Sequence, residues 1–233
     1  MSEADEAAVA ARAYERGIQT FLGIELLAAP GALVPRAETE LLGRTALHKL
    51  EALRAAAGGR ELCVVDMCTG SGNLACAIAM LAPDTRVWAS DLTDGCVSLA
   101  RRNVDKLGLG DRVTVVQGDL FAPLLDKGLE GAVDVCVCNP PYISTGRLDE
   151  RADLTAEPRE AFDGGPYGLS VHQRVVRDAL PLLRVGGWLC FEIGLGQDRQ
   201  VKILFDRTRA YDAVETSKNE TGGVRGMAGR KKG

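Results

Sequence analysis

Leu62-Cys63-Val64-Val65-Asp66-Met67-Cys68-Thr69-Gly70-Ser71-Gly72-Asn73 is the stretch that decides the fold. The apolar run over 61–67 reads as a buried strand, and the glycines behind it turn the chain into a helix over 73–82. The same alternation continues downstream. Strand 85–91 precedes helix 93–107, which stops at Gly108-Leu109-Gly110. Strand 112–117 precedes a short helical piece near 120–127 and then strand 133–138. An irregular stretch over 143–168 leads into helix 169–184. Strand 187–193 follows at Gly186-Gly187, then helix 197–208 and two weaker strands near 211–216 and 224–228. The strands are continuous apolar runs, as a parallel sheet covered by helices on both faces requires. The expected class is α/β with a mainly parallel sheet.

Upstream, residues 3–17 have helical composition. Thr20 to Leu27 and Ala32-Leu33-Val34 flank Pro30-Gly31 and predict a β-hairpin turning there. Thr39 to Ala57 is helical and stops at Gly58-Gly59, as a helix C-terminus does. Residues 1–57 are therefore expected to form an N-terminal helix, hairpin and connecting helix, and residues 58–233 the catalytic domain. The basic residues Arg230-Lys231-Lys232 read as a solvated tail.

Composition narrows the function. The net charge of −4 and pI of about 5.4 provide no basic footprint, which disfavours nucleic acid as a partner. The acidic start Met1-Ser2-Glu3-Ala4-Asp5-Glu6 lacks the basic and apolar regions of a signal peptide. No apolar run approaches the roughly 18 residues that cross a bilayer, so no membrane association is expected. The seven cysteines are odd in number, form no C-x-x-C pair and sit mostly in apolar segments. They read as reduced core residues of a cytoplasmic protein. His48 and His172 lie in helices without partner ligands and read as helix-surface or packing residues, so no metal is expected.

Ligands of open α/β sheets sit beyond the carboxyl ends of the strands, where strand order reverses. Residues 66–72 occupy such an end. Gly70 and Gly72 let the backbone approach a ligand, Thr69 lies in the same loop, and Asp66 is placed to meet an ammonium group. Free N–H groups at the start of the following helix face a carboxylate. Asp91 ends the second strand about 20 residues after the glycines, which suits two ribose hydroxyls. Asp119 and Leu120 follow the third strand and suit an adenine amino group and ring face. A glycine loop alone also fits a dinucleotide or a plain turn. Acidic residues at consecutive strand ends favour S-adenosylmethionine.

Asn139-Pro140-Pro141-Tyr142 follows the fourth strand. The lone pair of an amide or aromatic amino nitrogen is delocalised. The side-chain oxygen of Asn139 and the carbonyl of Pro140 are two acceptors that fix such a nitrogen. Both stabilise the positive charge that methyl transfer places on it. Pro140 and Pro141 hold the backbone rigid, and Tyr142 is positioned to stack on a planar group. The bland alternative is a proline-rich turn. Asn139 also borders the cofactor loop and joins the cofactor-binding set.

Over about residues 18–230 the chain resembles the peptide chain release factor glutamine N5-methyltransferases. The matching motifs are Leu33-Val34-Pro35-Arg36-Ala37-Glu38-Thr39-Glu40, the 66–72 loop and Asn139-Pro140-Pro141-Tyr142-Ile143. Glu157-Pro158, Asp163-Gly164-Gly165-Pro166-Tyr167-Gly168-Leu169, Phe191-Glu192-Ile193-Gly194 and Gly222-Gly223-Val224-Arg225 follow in order. The resemblance implies a class I methyltransferase fold with a seven-stranded Rossmann-like sheet. It implies that Asn139 and Pro140, flanked by Pro141 and Tyr142, hold a glutamine amide, and that Arg36 and Glu38 help close the site. Three departures stand out. Residues 1–17 replace a helical domain that helps bind the release factor, Ala37 replaces a proline, and Cys68 replaces a glycine. A glutamine of an acceptor protein is the leading expected substrate. A small metabolite amide, amidine or guanidine, a nucleic-acid base, and a non-catalytic cofactor-binding subunit are the alternatives.

Overall fold

The computed structural model describes residues 3–149 and 157–233, so residues 150–156 of the irregular stretch lie outside the described part. Helix α1 (Glu3–Arg16) leads into a hairpin of β1 (Ile18–Phe21) and β2 (Ile24–Leu27). The hairpin turns at Leu22-Gly23, not at Pro30-Gly31. Leu22 and Gly23 both have positive φ, 49° and 80°, the pairing that matches the twist of two antiparallel strands. The turn is pinned where the Leu22 N–H donates to Glu40 Oε1 at 2.9 Å. Residues 32–34 form no strand. They belong to a connector that packs Ala32 against Cys96 and Leu99.

Helix α2 (Ala37–Arg54) then leads to the sheet, which alternates with helices as expected. Its elements are β3 (Leu62–Met67), α3 (Asn73–Leu81), β4 (Thr85–Asp91), α4 (Asp94–Lys106), β5 (Val113–Gln117) and β6 (Val133–Cys138). After the short helix α5 (Thr145–Asp149) come α6 (Ser170–Asp178), β7 (Leu183–Glu192), α7 (Asp198–Thr208), β8 (Tyr211–Lys218) and β9 (Val224–Lys231). The sheet order is β5-β4-β3-β6-β7-β9-β8. The first five of these strands run parallel; β9 enters antiparallel between β7 and β8.

Alternate residues of each strand feed two cores. Val64, Val135 and Val137 point to one face, where α2, α3 and α4 supply Leu42, Leu50, Ile78 and Val104. Val65, Met67, Cys136 and Cys138 point to the other, against Val175 and Val176 of α6 and Val201 and Phe205 of α7. Phe191 stacks on Phe205 with centroids 5.3 Å apart, and His172 meets its edge at 5.2 Å, so His172 is a packing residue. His48 is exposed on α2. All seven cysteines are free thiols.

Three boundaries differ from expectation. Helix α6 ends at Asp178, well before 184, because Pro181 bars its predecessor from helical geometry. Strand β7 begins at Leu183, with a register shift against β6 between Val133 and Val135. Arg230 and Lys231 are no free tail. They end β9, where Arg230 pairs with Asp212 and Lys231 Nζ donates to the carbonyls of Leu180 and Leu183 at 2.8 and 2.7 Å. Among the described residues no helix is long and apolar enough to cross a membrane.

At the β7 irregularity Gly187 passes close to neighbouring backbone. A Cβ there meets the carbonyl oxygens of Val133, Arg184 and Asp134 at 2.9–3.0 Å. Gly187→Ala is expected to lower stability by ~1–3 kcal/mol, the usual cost of overpacking. Urea denaturation measures it; an unchanged midpoint contradicts the packing described.

Candidate active site

The chain leaves β3 for β4 and β5 on one side and returns to β6 on the other. The crevice of such a sheet opens at that reversal. There a cavity of about 390 Å³ is lined by Cys68, Thr69, Gly70 and Asn73 after β3, and by Asp91 and Thr93 after β4. Asp119 and Leu120 after β5 and Asn139 and Pro141 after β6 complete its floor. The other end is closed by Leu33, Pro35 and Thr39 from the N-terminal segment, Pro158, Glu160 and Asp163, and Val171 and Arg174 of α6.

Most of the predicted cofactor set thus converges. Asp91 also shapes the loop it faces: its Oδ2 accepts from the Gly70 N–H at 2.9 Å and its Oδ1 from the Thr93 N–H at 3.2 Å. Asp119 pairs with Arg174 at 2.7 Å, a cation that sequence reading did not single out. Two predicted members stand apart. Gly72 does not line the cavity; it lets α3 approach α4, since a Cβ there meets Ala100 at 3.1 Å. Asp66 is fully buried beneath the loop, where its Oδ2 accepts from Thr69 Oγ1 at 2.5 Å and Ala75 N–H at 3.0 Å. Burial pushes its carboxyl up to about 7 against those two hydrogen bonds, and its Oδ1 has no partner among the described residues.

The predicted acceptor residues separate in the same way. Asn139 and Pro141 face the cavity and Pro140 is buried behind them. Tyr142, expected to stack on substrate, does not line it. Its hydroxyl donates to Glu192 Oε1 at 3.1 Å and accepts from Arg225 at 3.1 Å. Arg36, expected at the closing rim, is buried in an ion pair with Glu157 at 2.6 Å, and Glu157 also accepts from the Val34 N–H. Glu38 lies in the first turn of α2 outside the cavity lining.

Sequence reading missed a polar chain behind Asn139. Its Nδ2 donates to Thr39 Oγ1 at 3.2 Å, and Thr39 Oγ1 donates to Glu192 Oε2 at 2.9 Å. Glu192 is fully buried at the end of β7, and desolvation pushes its carboxyl up to about 7 despite Arg225, Thr39 and Tyr142. A carboxylate ending the otherwise apolar run Trp188-Leu189-Cys190-Phe191 was the available signal. Gln197 is a second missed residue. Its amide accepts from Gly194 N–H and donates to the carbonyls of Tyr142 and Gly168, joining three loops.

The cavity suits S-adenosylmethionine. Asp91 and Asp119 stand at adjacent strand ends, and open space lies where a Cβ of Gly70 would point. Asn73 Nδ2 is a buried donor on the wall with no partner among the described residues, available to a ligand carboxylate. Among the described residues no three His, Cys, Asp or Glu side chains gather to hold a metal.

A seven-stranded class I sheet with this crevice defines an S-adenosylmethionine-dependent methyltransferase. The family model "Methyltransferase small domain" matches residues 45–157. The solved human methyltransferase 10 domain containing protein superposes with a TM-score of 0.68 at 20% identity, covering 98% of this chain and 97% of that one, a likeness of fold. The release factor glutamine methyltransferase of Moorella thermoacetica is 39% identical over 85% of this chain and 67% of its own length. The ribosomal protein uL3 glutamine methyltransferase of Bradyrhizobium diazoefficiens is 44% identical over 58% of this chain and 41% of its own length. The chain belongs to the release factor glutamine methyltransferase family.

Cys68 carries a cost at this site. It has φ of 56°, a left-handed conformation that is disfavoured by roughly 1–2 kcal/mol for a residue with a Cβ. Cys68→Gly is expected to raise stability by ~0.5–1 kcal/mol, the strain relieved less the entropy that glycine loses on folding. Denaturant titration reads it, and a loss of stability contradicts the strain.

Proposed function

We propose that the protein methylates the side-chain amide nitrogen of a glutamine in a peptide chain release factor. The observation that carries this is Asn139, whose Nδ2 is bound to Thr39 while the residue faces the cavity. Its Oδ1 is left to accept from an acceptor N–H; the second acceptor in this reading is the carbonyl of Pro140, a buried residue outside the cavity lining that sits between the lining residues Asn139 and Pro141. Two fixed acceptors hold the amide plane and turn its lone pair toward the methyl donor. They also stabilise the positive charge that develops on nitrogen. S-adenosylmethionine supplies a methyl group activated by its sulfonium. Asp91 holds its ribose, Asp119 and Leu120 its adenine, and Asn73 its carboxylate. No general base is needed, because an N-alkylated amide cation loses its proton readily to water.

Leu33, Pro35 and Thr39 form the acceptor end with residues 157–163, so the N-terminal segment completes a site carried mainly by residues 58–233. Methylation of a translation factor places the protein in the cytoplasm. The names of its relatives support a protein acceptor over a small metabolite or a nucleic-acid base.

Pure protein incubated with methyl-labelled cofactor and its host's release factor is expected to label one glutamine, located by peptide mass spectrometry. Label absent from the release factor but present in a small-molecule fraction of host extract contradicts the reading. Asn139→Ala is expected to reduce turnover on the order of 10²-fold or more, as for loss of one transition-state hydrogen bond, with cofactor affinity nearly unchanged. Asp91→Ala is expected to weaken cofactor binding by ~1.5–3 kcal/mol, measured by calorimetry; unchanged affinity removes Asp91 from the ribose.

A further inference from the structure

We infer that Glu192 is a positioning residue which, through the Thr39 hydroxyl, sets which end of the Asn139 amide faces the methyl acceptor. The inference deepens the proposed function, since it concerns the same acceptor site.

Donor and acceptor polarity sets the direction of each bond in this chain. An ionised carboxylate only accepts hydrogen bonds. Glu192 Oε2, 2.9 Å from Thr39 Oγ1, therefore receives the single hydroxyl proton of Thr39. That leaves Thr39 Oγ1 with lone pairs only toward Asn139. Only the NH₂ end of the Asn139 amide satisfies them, at 3.2 Å. The carbonyl end of the amide is thereby turned away from Thr39 and toward the acceptor. The other carboxylate oxygen is already committed: Oε1 accepts from Tyr142 at 3.1 Å and from Arg225 at 3.4 Å. Oε2 is thus the oxygen that sets the direction of the chain of bonds.

Reversing one link reverses all of them. A donor in place of Oε2 gives its proton to Thr39, which then donates to Asn139 Oδ1. The NH₂ end then faces the acceptor, donor against donor. Glu192→Gln does this by substitution, since its oxygen is retained by Tyr142 and Arg225 and its NH₂ takes the Oε2 position. Protonation of Glu192 does the same. The groups around Glu192 are Arg225 of β9, Tyr142 after β6, and Thr39 and Glu38 of α2; the α6 residue His172 bonds its backbone carbonyl at 2.9 Å. Burial holds Tyr142 protonated and lowers His172 to about 4, so both stay neutral near pH 7, while Arg225 stays charged. Glu192, raised to about 7, is the member that titrates there.

The test compares turnover on the host release factor, cofactor affinity, and the side-chain amide signal of Asn139 in ¹⁵N-labelled protein. Glu192→Gln is expected to lower kcat on the order of 10²-fold, as loss of one transition-state hydrogen bond does, with cofactor Kd unchanged. At saturating cofactor, where titration of Asp66 beneath the cofactor loop does not limit binding, wild-type kcat is expected to rise as pH passes upward through about 7, and Glu192→Gln to lose that rise. Thr39→Val is expected to match Glu192→Gln, and Thr39→Ser to restore the turnover that valine removes. A Glu192→Gln enzyme with wild-type kcat and pH profile overturns the inference, as do equal rates for Thr39→Val and Thr39→Ser. If wild type does not methylate the release factor, the proposed substrate falls, and the amide signal decides the inference alone. Its response to pH near 7 in wild type, abolished in Glu192→Gln, supports the relay; a signal indifferent to both overturns it.

Discussion

The site exists because parallel strands cannot be joined by tight turns. Each crossover needs a helix, and right-handed crossovers fill one side of β3 before the chain can return on the other. The helices after β3 and β6 therefore pack on opposite faces of the sheet, and the cavity opens between them, lined by Cys68 on one side and Asn139 on the other. Residues 68–72 and 139–142 are far apart in sequence, yet Met67 and Cys138, which precede them, are direct neighbours in the sheet. The proposed sites of methyl donor and methyl acceptor are therefore brought side by side by the sheet itself.

Around that gap the protein tolerates unfavourable placements. Asp66, Glu192 and His172 are all fully buried, and Asp66 Oδ1 and His172 Nδ1 lack partners among the described residues. Removing a carboxylate from water costs several kcal/mol unless hydrogen bonds replace hydration. Glu192 has three side-chain partners and Asp66 has two hydrogen bonds, yet both are pushed toward neutrality. Cys68 adds backbone strain. The two cores away from the strand ends are ordinary packed apolar residues.

The sheet and its helices were legible because β3 and β6 are apolar runs, interrupted only by Asp66 and Asp134, that lead into Gly70 and Pro140. Asp91, Asp119 and Asn139 were legible because strand-end chemistry is local in sequence. The hairpin was misplaced because Pro30-Gly31 is the louder turn signal, whereas Leu22, a residue that rarely turns, adopts the left-handed region with its N–H bound to Glu40, 18 residues away. Tyr142 and Arg36 were assigned to substrate because chemical type does not reveal direction. Both turn inward to partners 50 and 121 residues away, Glu192 and Glu157. The Thr39–Glu192 link spans 153 residues, and no local pattern announces it.

The buried pair of Arg36 and Glu157 ties the N-terminal connector to the loop that shares its end of the cavity. Removing one member of such a pair leaves a stranded charge and costs ~3–5 kcal/mol, while replacing both with apolar residues is close to neutral. Divergence at these two positions is therefore concerted: a descendant abandons the clasp by changing both residues or keeps both. The freedom of this lineage to remodel its acceptor wall runs through a paired change that single mutations reach only by way of a weakened intermediate.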